Sequence, residues 1–317
     1  MCKKFKILIL VLLFGLPSLT LAKPYLIGIS VWSGYPENVR GFKQALADAG
    51  IEEGRDLTYL YRNAGGERGA QQKIAEEFRD AKVDMVYSLT TPGTVAIKAL
   101  LPKATPLVFS IVTYPADSGL IESFDYSGNN LVGTSNYVPL HHYVDLLKKF
   151  LPGAKSVAIF HRQGEPNSKI QTINLIRLFK RAGIVALDQA VQSIDDLVDM
   201  AGKLSSKVDA FVTTTDTLMQ NGGEKALVAV SLREGVPILS SNKQGIEAGS
   251  SFGPVVDFYR LGFMSGQMAA RIIQEGKVPS AMASRYQEPP TVLVNLKSTI
   301  HLGIVIPETI KDLTYVD

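Results

Sequence analysis

Cysteine is all but missing from this chain: among 317 residues the only one is Cys2. That excludes a disulfide framework and a thiol nucleophile within a folded domain, so the fold must be held by its core. Histidine is scarce as well. Of the four, His141 and His142 are adjacent and point in different directions, while His161 and His301 stand alone. No spacing resembles a metal site, and neither a G-x-S-x-G elbow nor a P-loop is present. The glycine-rich NAGGERGA (63–70) follows the second strand rather than the first and lacks dinucleotide spacing, so it reads as a turn. Neither a cofactor nor a metal is expected. No long apolar run occurs either: the N-terminal one, Ile7 to Leu16, is about half of the roughly 20 residues a membrane span needs.

What is there begins with an export signal. Three lysines within Met1 to Lys6, the apolar run, and the small residues of Thr20-Leu21-Ala22 describe a signal peptide over 1–22, cut after Ala22. A lipoprotein would need a cysteine just after the apolar run, and Cys2 precedes it. The expected location is therefore periplasmic or secreted. The whole chain has 33 basic and 30 acidic residues, and the leader holds three lysines and no acid, leaving 30 of each. The pI near 8.7 thus belongs largely to the leader. No basic surplus remains to suggest nucleic acid or an anionic membrane surface. The remaining length of about 295 residues and the 46% hydrophobic content suit two domains with ordinary cores.

Along the chain, short apolar runs alternate with amphipathic stretches. Strands are expected at 25–30, 57–61, 85–88 and 107–110, with helices at 39–49, 70–79 and 93–101 between them. The rhythm restarts after Gly133: helix 143–150, strand 156–160, helix 168–181, strand 185–187, helix 195–204, strand 210–213, helix 224–233 and strand 238–239. Strands separated by helices of this length indicate parallel βαβ units and an open, doubly wound sheet. Two such sheets in succession make an α/β chain of two similar lobes. KVDMVYSLTTPGT (82–94) and KVDAFVTTTDTLM (207–219) are the third strand of each lobe with the loop that follows it.

In parallel α/β sheets ligands bind beyond the carboxyl ends of the strands, where helix N-termini present free N–H groups. Thr90, Thr91 and Thr94 stand at such a place in the first lobe, and Thr214, Thr215, Asp216 and Thr217 at its counterpart. Hydroxyls and carboxylates there also serve as ordinary helix caps. Aromatic residues gather at other strand ends: Trp32 and Tyr35 after the first, Tyr114 beside Thr113 after the fourth, and Tyr137 where the first half gives way to the second. A rigid ring with a polar handle suits the wall of a small-molecule pocket.

These features, with GFKQALADAGIEEGRDL (41–57), PLVFSIVTYPADSGLI (106–121), NLVGTSNYVP (130–139), GEPNS (164–168) and VNLKSTIHLGIVIP (294–307), resemble the periplasmic substrate-binding proteins of ABC transporters. The branch is the one that includes tryptophan and tyrosine binders. The resemblance implies a type I binding-protein fold, with lobe 1 at 23–137 and 254–288 and lobe 2 at 138–253 and 289–317. It also implies a return of the helix 258–274 to lobe 1. Thr90, Thr91 and Thr113 would hold a ligand carboxylate. Glu165, Asn167 and Asp216 would close over the ligand, with Asp216 meeting an ammonium group, and Asn242 would lie near the cleft. Two departures reduce the acid count there: Tyr114 in Val112-Thr113-Tyr114-Pro115, and Ser241-Asn242-Lys243-Gln244, which also adds a lysine. The ligand is accordingly expected to be an aromatic amino acid or a more anionic or neutral relative. The expected partner is an inner-membrane ABC permease, and the receptor is expected to be monomeric and not an enzyme. The competing readings are a sensory receptor for a membrane kinase or chemoreceptor, and an exported α/β enzyme using Asp216 with a histidine.

Overall fold

The computed structural model describes residues 24–310 and 313–317; the expected signal peptide lies outside them. The first sheet is built from β1 (Tyr25–Val31), α1 (Pro36–Asp48), β2 (Leu57–Asn63), α2 (Arg68–Asp80), β3 (Met85–Leu89), α3 (Thr91–Leu100), β4 (Leu107–Ser110) and β5 (Leu131–Ser135). The second follows with α4 (His141–Phe150), β6 (Ser156–Arg162), α5 (Pro166–Arg181), β7 (Val185–Val191), α6 (Ile194–Leu204), β8 (Ala210–Thr213), α7 (Glu224–Glu234), β9 (Ile238–Leu239), α8 (Lys243–Glu247) and β10 (Phe252–Val255). The strand order is β5-β4-β3-β1-β2 in one and β10-β9-β8-β6-β7 in the other, all parallel. The two lobes are therefore one winding used twice.

The helices form where apolar residues recur at helical spacing. In α1, Val39, Phe42, Ala45 and Leu46 face the sheet, Pro36 opens the first turn, and Gly50 ends it at φ 77°. Strands β3, β4 and β5 are buried along their full length, as expected for a parallel sheet covered on both faces. Phe42 stacks on Tyr87 at 3.8 Å in the first lobe, and Phe150 on Phe252 at 4.1 Å in the second.

The repeated Lys-Val-Asp has a structural cause at the amino ends of the strands. Asp84 accepts the Leu26 N–H at 2.8 Å, tying the start of β3 to β1. Asp209 accepts the N–H groups of Lys155 and Ser156, both at 2.8 Å, tying β8 to β6 in the same way. A second twin lies in the outer strands. A Cβ on Gly133 in β5 would stand 2.0 Å from the Phe109 carbonyl, and one on Gly253 in β10 would stand 1.9 Å from that of Ser240.

After β10 the chain returns to the first sheet. Helix α9 (Phe258–Glu275) lies against α1, so close that a Cβ on Gly262 would be 1.9 Å from the Asn38 carbonyl. Strand β11 (Arg285–Tyr286) then pairs with β5, and β12 (Thr291–Asn295) goes back to pair antiparallel with β10. Helix α10 (Leu296–His301) and β13 (Leu313–Val316), parallel to β12, complete the second lobe. The late strands carry too little periodicity to be read from the sequence, since β11 is two residues long and β12 extends a sheet from outside its winding. No helix among the described residues is long and apolar enough to cross a membrane.

Candidate functional site

In this winding the carboxyl ends of β1, β3 and β4 face those of β6, β8 and β9 across the space between the lobes, at the switch points of the two sheets. The two walls are made differently. On the first, the loops take strained backbone: Tyr35, Thr90 and Ile111 have φ of 62°, 69° and 55°, a region that side-chain-bearing residues rarely adopt. Thr90 caps α3, its Oγ1 accepting the Gly93 N–H at 3.4 Å. Gly93 leaves room for Trp32, whose Cβ would be 3.3 Å from a Cβ placed there. The buried polar side chains of this lobe are neutral throughout the described residues. Several have no protein partner: Trp32 Nε1, Thr91 Oγ1, Tyr114 Oη and Asn136 Oδ1.

The second wall contains the buried ionisable groups: His161, Glu165, Asp216 and Glu224. Asp216 Oδ2 accepts the Arg162 N–H and the Thr214 hydroxyl, each at 2.8 Å, and Oδ1 accepts the Met219 N–H at 2.9 Å. It thereby caps a π-turn (Met219–Gly223) that leads into α7. Glu165 accepts from the Thr217 N–H at 3.2 Å, from the Thr217 hydroxyl, and from Arg162 Nη1 at 3.3 Å. The Arg162 guanidinium therefore serves Glu165 alone, while Asp216 is met by the Arg162 backbone N–H. Burial raises the pKa of both above the usual carboxylate range, and for Glu165 the charge of Asp216 raises it further. Tyr35 of the first lobe feels the same pair: burial, then Glu165 and Asp216, push its phenol well above its ordinary value.

The second wall also carries amides with fixed orientation. Asn167 Nδ2 donates to the Thr215 carbonyl at 2.6 Å, and Asn242 Nδ2 donates to the Thr214 carbonyl at 3.2 Å. Carbonyl oxygens cannot donate, so each amide nitrogen must face them. Asn167 Oδ1 and Asn242 Oδ1 are left without a protein partner. Gln171 accepts the Thr215 N–H at 2.9 Å and its hydroxyl at 3.0 Å, holding the loop after β8.

The lobes touch at this site. Thr113 Oγ1 lies 3.2 Å from Thr215 Oγ1, Asn221 Nδ2 donates to Ser33 Oγ at 3.0 Å, and Arg68 Nη2 donates to the Gly164 carbonyl at 3.4 Å. Beside these contacts a cleft of about 640 Å³ opens between the β4 loop and α5, with Thr113, Tyr114, Phe124 and Tyr137 on one side and Asn174 and Arg177 on the other. Tyr114 meets Tyr137 edge to face at 5.6 Å.

The ten nominated residues are distributed over both lobes. Trp32, Tyr35, Thr90, Thr91 and Thr113 belong to the first wall, Glu165, Asn167, Asp216 and Asn242 to the second, and Tyr137 to the open cleft. Lys243 beside Asn242 has a side chain 43% exposed and pairs with Glu247 at 3.9 Å on α8, as suits an ammonium group that avoids an uncompensated burial. The sequence reading missed Gln171, Asn136, Ser33, Asn221 and Glu224. Gln171 had a signal, since Asn167 and Gln171 put polar groups one turn apart on the face of α5 that turns inward. Among the described residues no group of three or more metal-ligating side chains is assembled.

Known proteins resemble this chain in sequence and in fold. A tyrosine-binding protein of Clostridioides difficile (strain R20291) is 28% identical over 254 residues, covering 79% of this chain and 73% of that protein. The crystal structure of an ABC domain in complex with L-Trp from Streptococcus pneumoniae superposes with a TM-score of 0.87 at 23% identity, over 93% of this chain and 100% of that one. The ligand-free, open structure of a substrate-binding protein with adhesive properties from Clostridium difficile gives 0.73 at 24% identity, over 92% of this chain and 99% of that one. A family profile described as ABC transporter substrate binding protein matches residues 32–315. The chain belongs to this family of ABC transporter substrate-binding proteins.

Proposed function

We propose that this protein captures an aromatic amino acid, or a closely related zwitterion, between its two lobes and delivers it to an ABC permease of the inner membrane. The polarity of the two walls carries this reading. The first wall offers an unpartnered indole N–H donor at Trp32, the Tyr114 hydroxyl after β4, and the Thr91 hydroxyl at the N-terminus of α3, with no buried charged side chain among them. Such a wall suits a carboxylate. The second offers the acceptor oxygens of Asn167 and Asn242 together with two buried carboxylates, of which only Glu165 meets the Arg162 guanidinium. That surplus of negative charge favours a ligand ammonium, and Asp216 acts through its charge while its bonds hold the loop. Trp32, Tyr35 and Tyr114 supply ring surface between the two ends. The tyrosine-binding relative and the L-Trp complex support the same ligand class.

The lobes are residues 23–137 with 254–288 and 138–253 with 289–317, and closure draws on contacts from both, so ligand shifts the open–closed balance. Residues 1–22 direct export and are then removed, and the receptor works as a monomer without catalysis. In keeping with the last point, Asp216 takes its hydrogen bonds from Arg162, Thr214 and Met219, while His161 Nε2 faces Asp188 at 2.8 Å. Thermal unfolding of residues 23–317 against amino acids, aromatic acids and small carboxylates tests the proposal. A ligand at 100 times its dissociation constant adds about 2.7 kcal/mol of stability. Stabilisation by L-tyrosine or L-tryptophan is expected; stabilisation by solutes lacking an ammonium group alone would overturn the amino-acid reading.

A further inference from the structure

Glu224 is a buried acid that takes no part in the contacts between the lobes. It opens α7, is 1% exposed, and is surrounded by hydroxyl and amide groups rather than by a cation. A carboxyl in such a place is costly unless donors meet its oxygens. They do: Oε2 accepts Asn242 Nδ2 at 2.6 Å and the Thr213 hydroxyl at 3.2 Å, and Oε1 accepts the Ser250 hydroxyl at 2.7 Å. Space is reserved for it as well, since a Cβ on Gly245 would stand 2.1 Å from its carboxyl group. Core packing alone does not call for an acid here, because a methionine fills a similar volume without the desolvation cost.

An acid does one thing that a hydrocarbon cannot: it accepts from the Asn242 amide. The Asn242 nitrogen faces both Glu224 Oε2 and the Thr214 carbonyl, so both of its protons are engaged and the amide cannot turn over without losing two bonds. The carbonyl oxygen is then the end left without a partner. We propose that Glu224 is a positioning residue that locks Asn242 with its acceptor oxygen, and not its NH2, presented to the ligand, so that the site selects a ligand carrying a donor such as an ammonium group. The presentation to ligand rests on the function proposed above; the locking of the amide does not.

Two measurements separate these parts. In the ligand-free mature protein, the Asn242 side-chain NH2 signal, identified by its loss in Asn242→Asp, is expected to exchange slowly with solvent. It should stay slow in Glu224→Gln, whose carboxamide oxygen still accepts. It should exchange at least tenfold faster in Glu224→Met, and also in Gly245→Ala, which displaces the carboxyl and provides a second probe if the methionine variant does not fold. An amide that exchanges freely in the wild type, or that is unaffected by displacement of the carboxyl, overturns the proposal. For presentation, Glu224→Met and Asn242→Ala should each weaken L-tyrosine binding about tenfold, and the double variant should be no weaker than Asn242→Ala alone. Additive losses would mean that Glu224 acts elsewhere. If the wild type binds no amino acid, the failure belongs to the ligand reading, and the exchange data still decide whether the amide is locked.

Discussion

The two lobes agree at one end of their sheets and differ at the other. At the amino ends Asp84 and Asp209 perform the same tie, and Gly133 and Gly253 permit the same close strand approach. At the carboxyl ends lobe 1 presents neutral hydroxyls on strained loops, whereas lobe 2 presents carboxylates held by its own backbone N–H groups. A repeated scaffold therefore does not imply a repeated binding surface. The shared features keep the sheets wound, and the differing ones give the cleft a donor side and an acceptor side.

The largest test of the likeness is to fill the twin glycines. Gly133→Ala and Gly253→Ala should each destabilise by about 3 kcal/mol, because the obstruction is backbone and cannot swing aside. Denaturant unfolding should show similar losses for both; a neutral result in one lobe would break the equivalence of β5 and β10. The next test targets the difference. Asp216→Ala leaves two N–H groups and a hydroxyl unpaired and should cost about 2–3 kcal/mol. Thr90→Ala removes one long cap bond and should cost about 1 kcal/mol.

Acidity sharpens the contrast. Glu165, Asp216 and Glu224 all have raised pKa values in the folded state, burial being the first cause of each. The folded state then holds protons that the unfolded chain has released, so stability from these groups is present below the ordinary carboxylate pKa and is lost as pH rises through the raised values. The loss is about 1.4 kcal/mol per pH unit for each proton concerned. Glu224→Gln should flatten this decline when unfolding is followed from pH 4 to 8. Asp209 is the opposite case: the Lys155 N–H chiefly holds its pKa low, so its contribution is lost as pH falls. A smaller effect is expected from Asn221→Ala, which removes the bond to Ser33 across the cleft; ligand affinity should fall about fivefold, as for one hydrogen bond of about 1 kcal/mol.

Much of this was legible from the chain because period and punctuation were strong. The helices expected at 39–49, 168–181 and 224–233 are α1, α5 and α7, although Pro36 and Pro166 start the first two earlier than apolar spacing indicates. The twin Lys-Val-Asp disclosed two lobes, although its aspartates serve the end of the strand away from the cleft. The return of α9 to lobe 1 rested on family resemblance, since nothing local in its sequence says which sheet it covers. At the site, hydroxyl clusters and strand-end aromatics marked the loops. Pattern could not choose between capping and ligand contact for Asp216, nor reveal that Asn242 is the buried residue and Lys243 the exposed one, or that Glu224 backs Asn242. Those facts depend on which atoms meet across loops far apart in sequence.

The central claim is a donor wall facing an acceptor wall, and a paired titration tests it most directly. Calorimetry of the mature protein with L-tyrosine and with its deaminated analogue, 3-(4-hydroxyphenyl)propionate, compares ligands that differ at the ammonium group. The account predicts at least tenfold tighter binding of the amino acid, about 1.4 kcal/mol or more. Equal or tighter binding of the analogue would contradict it.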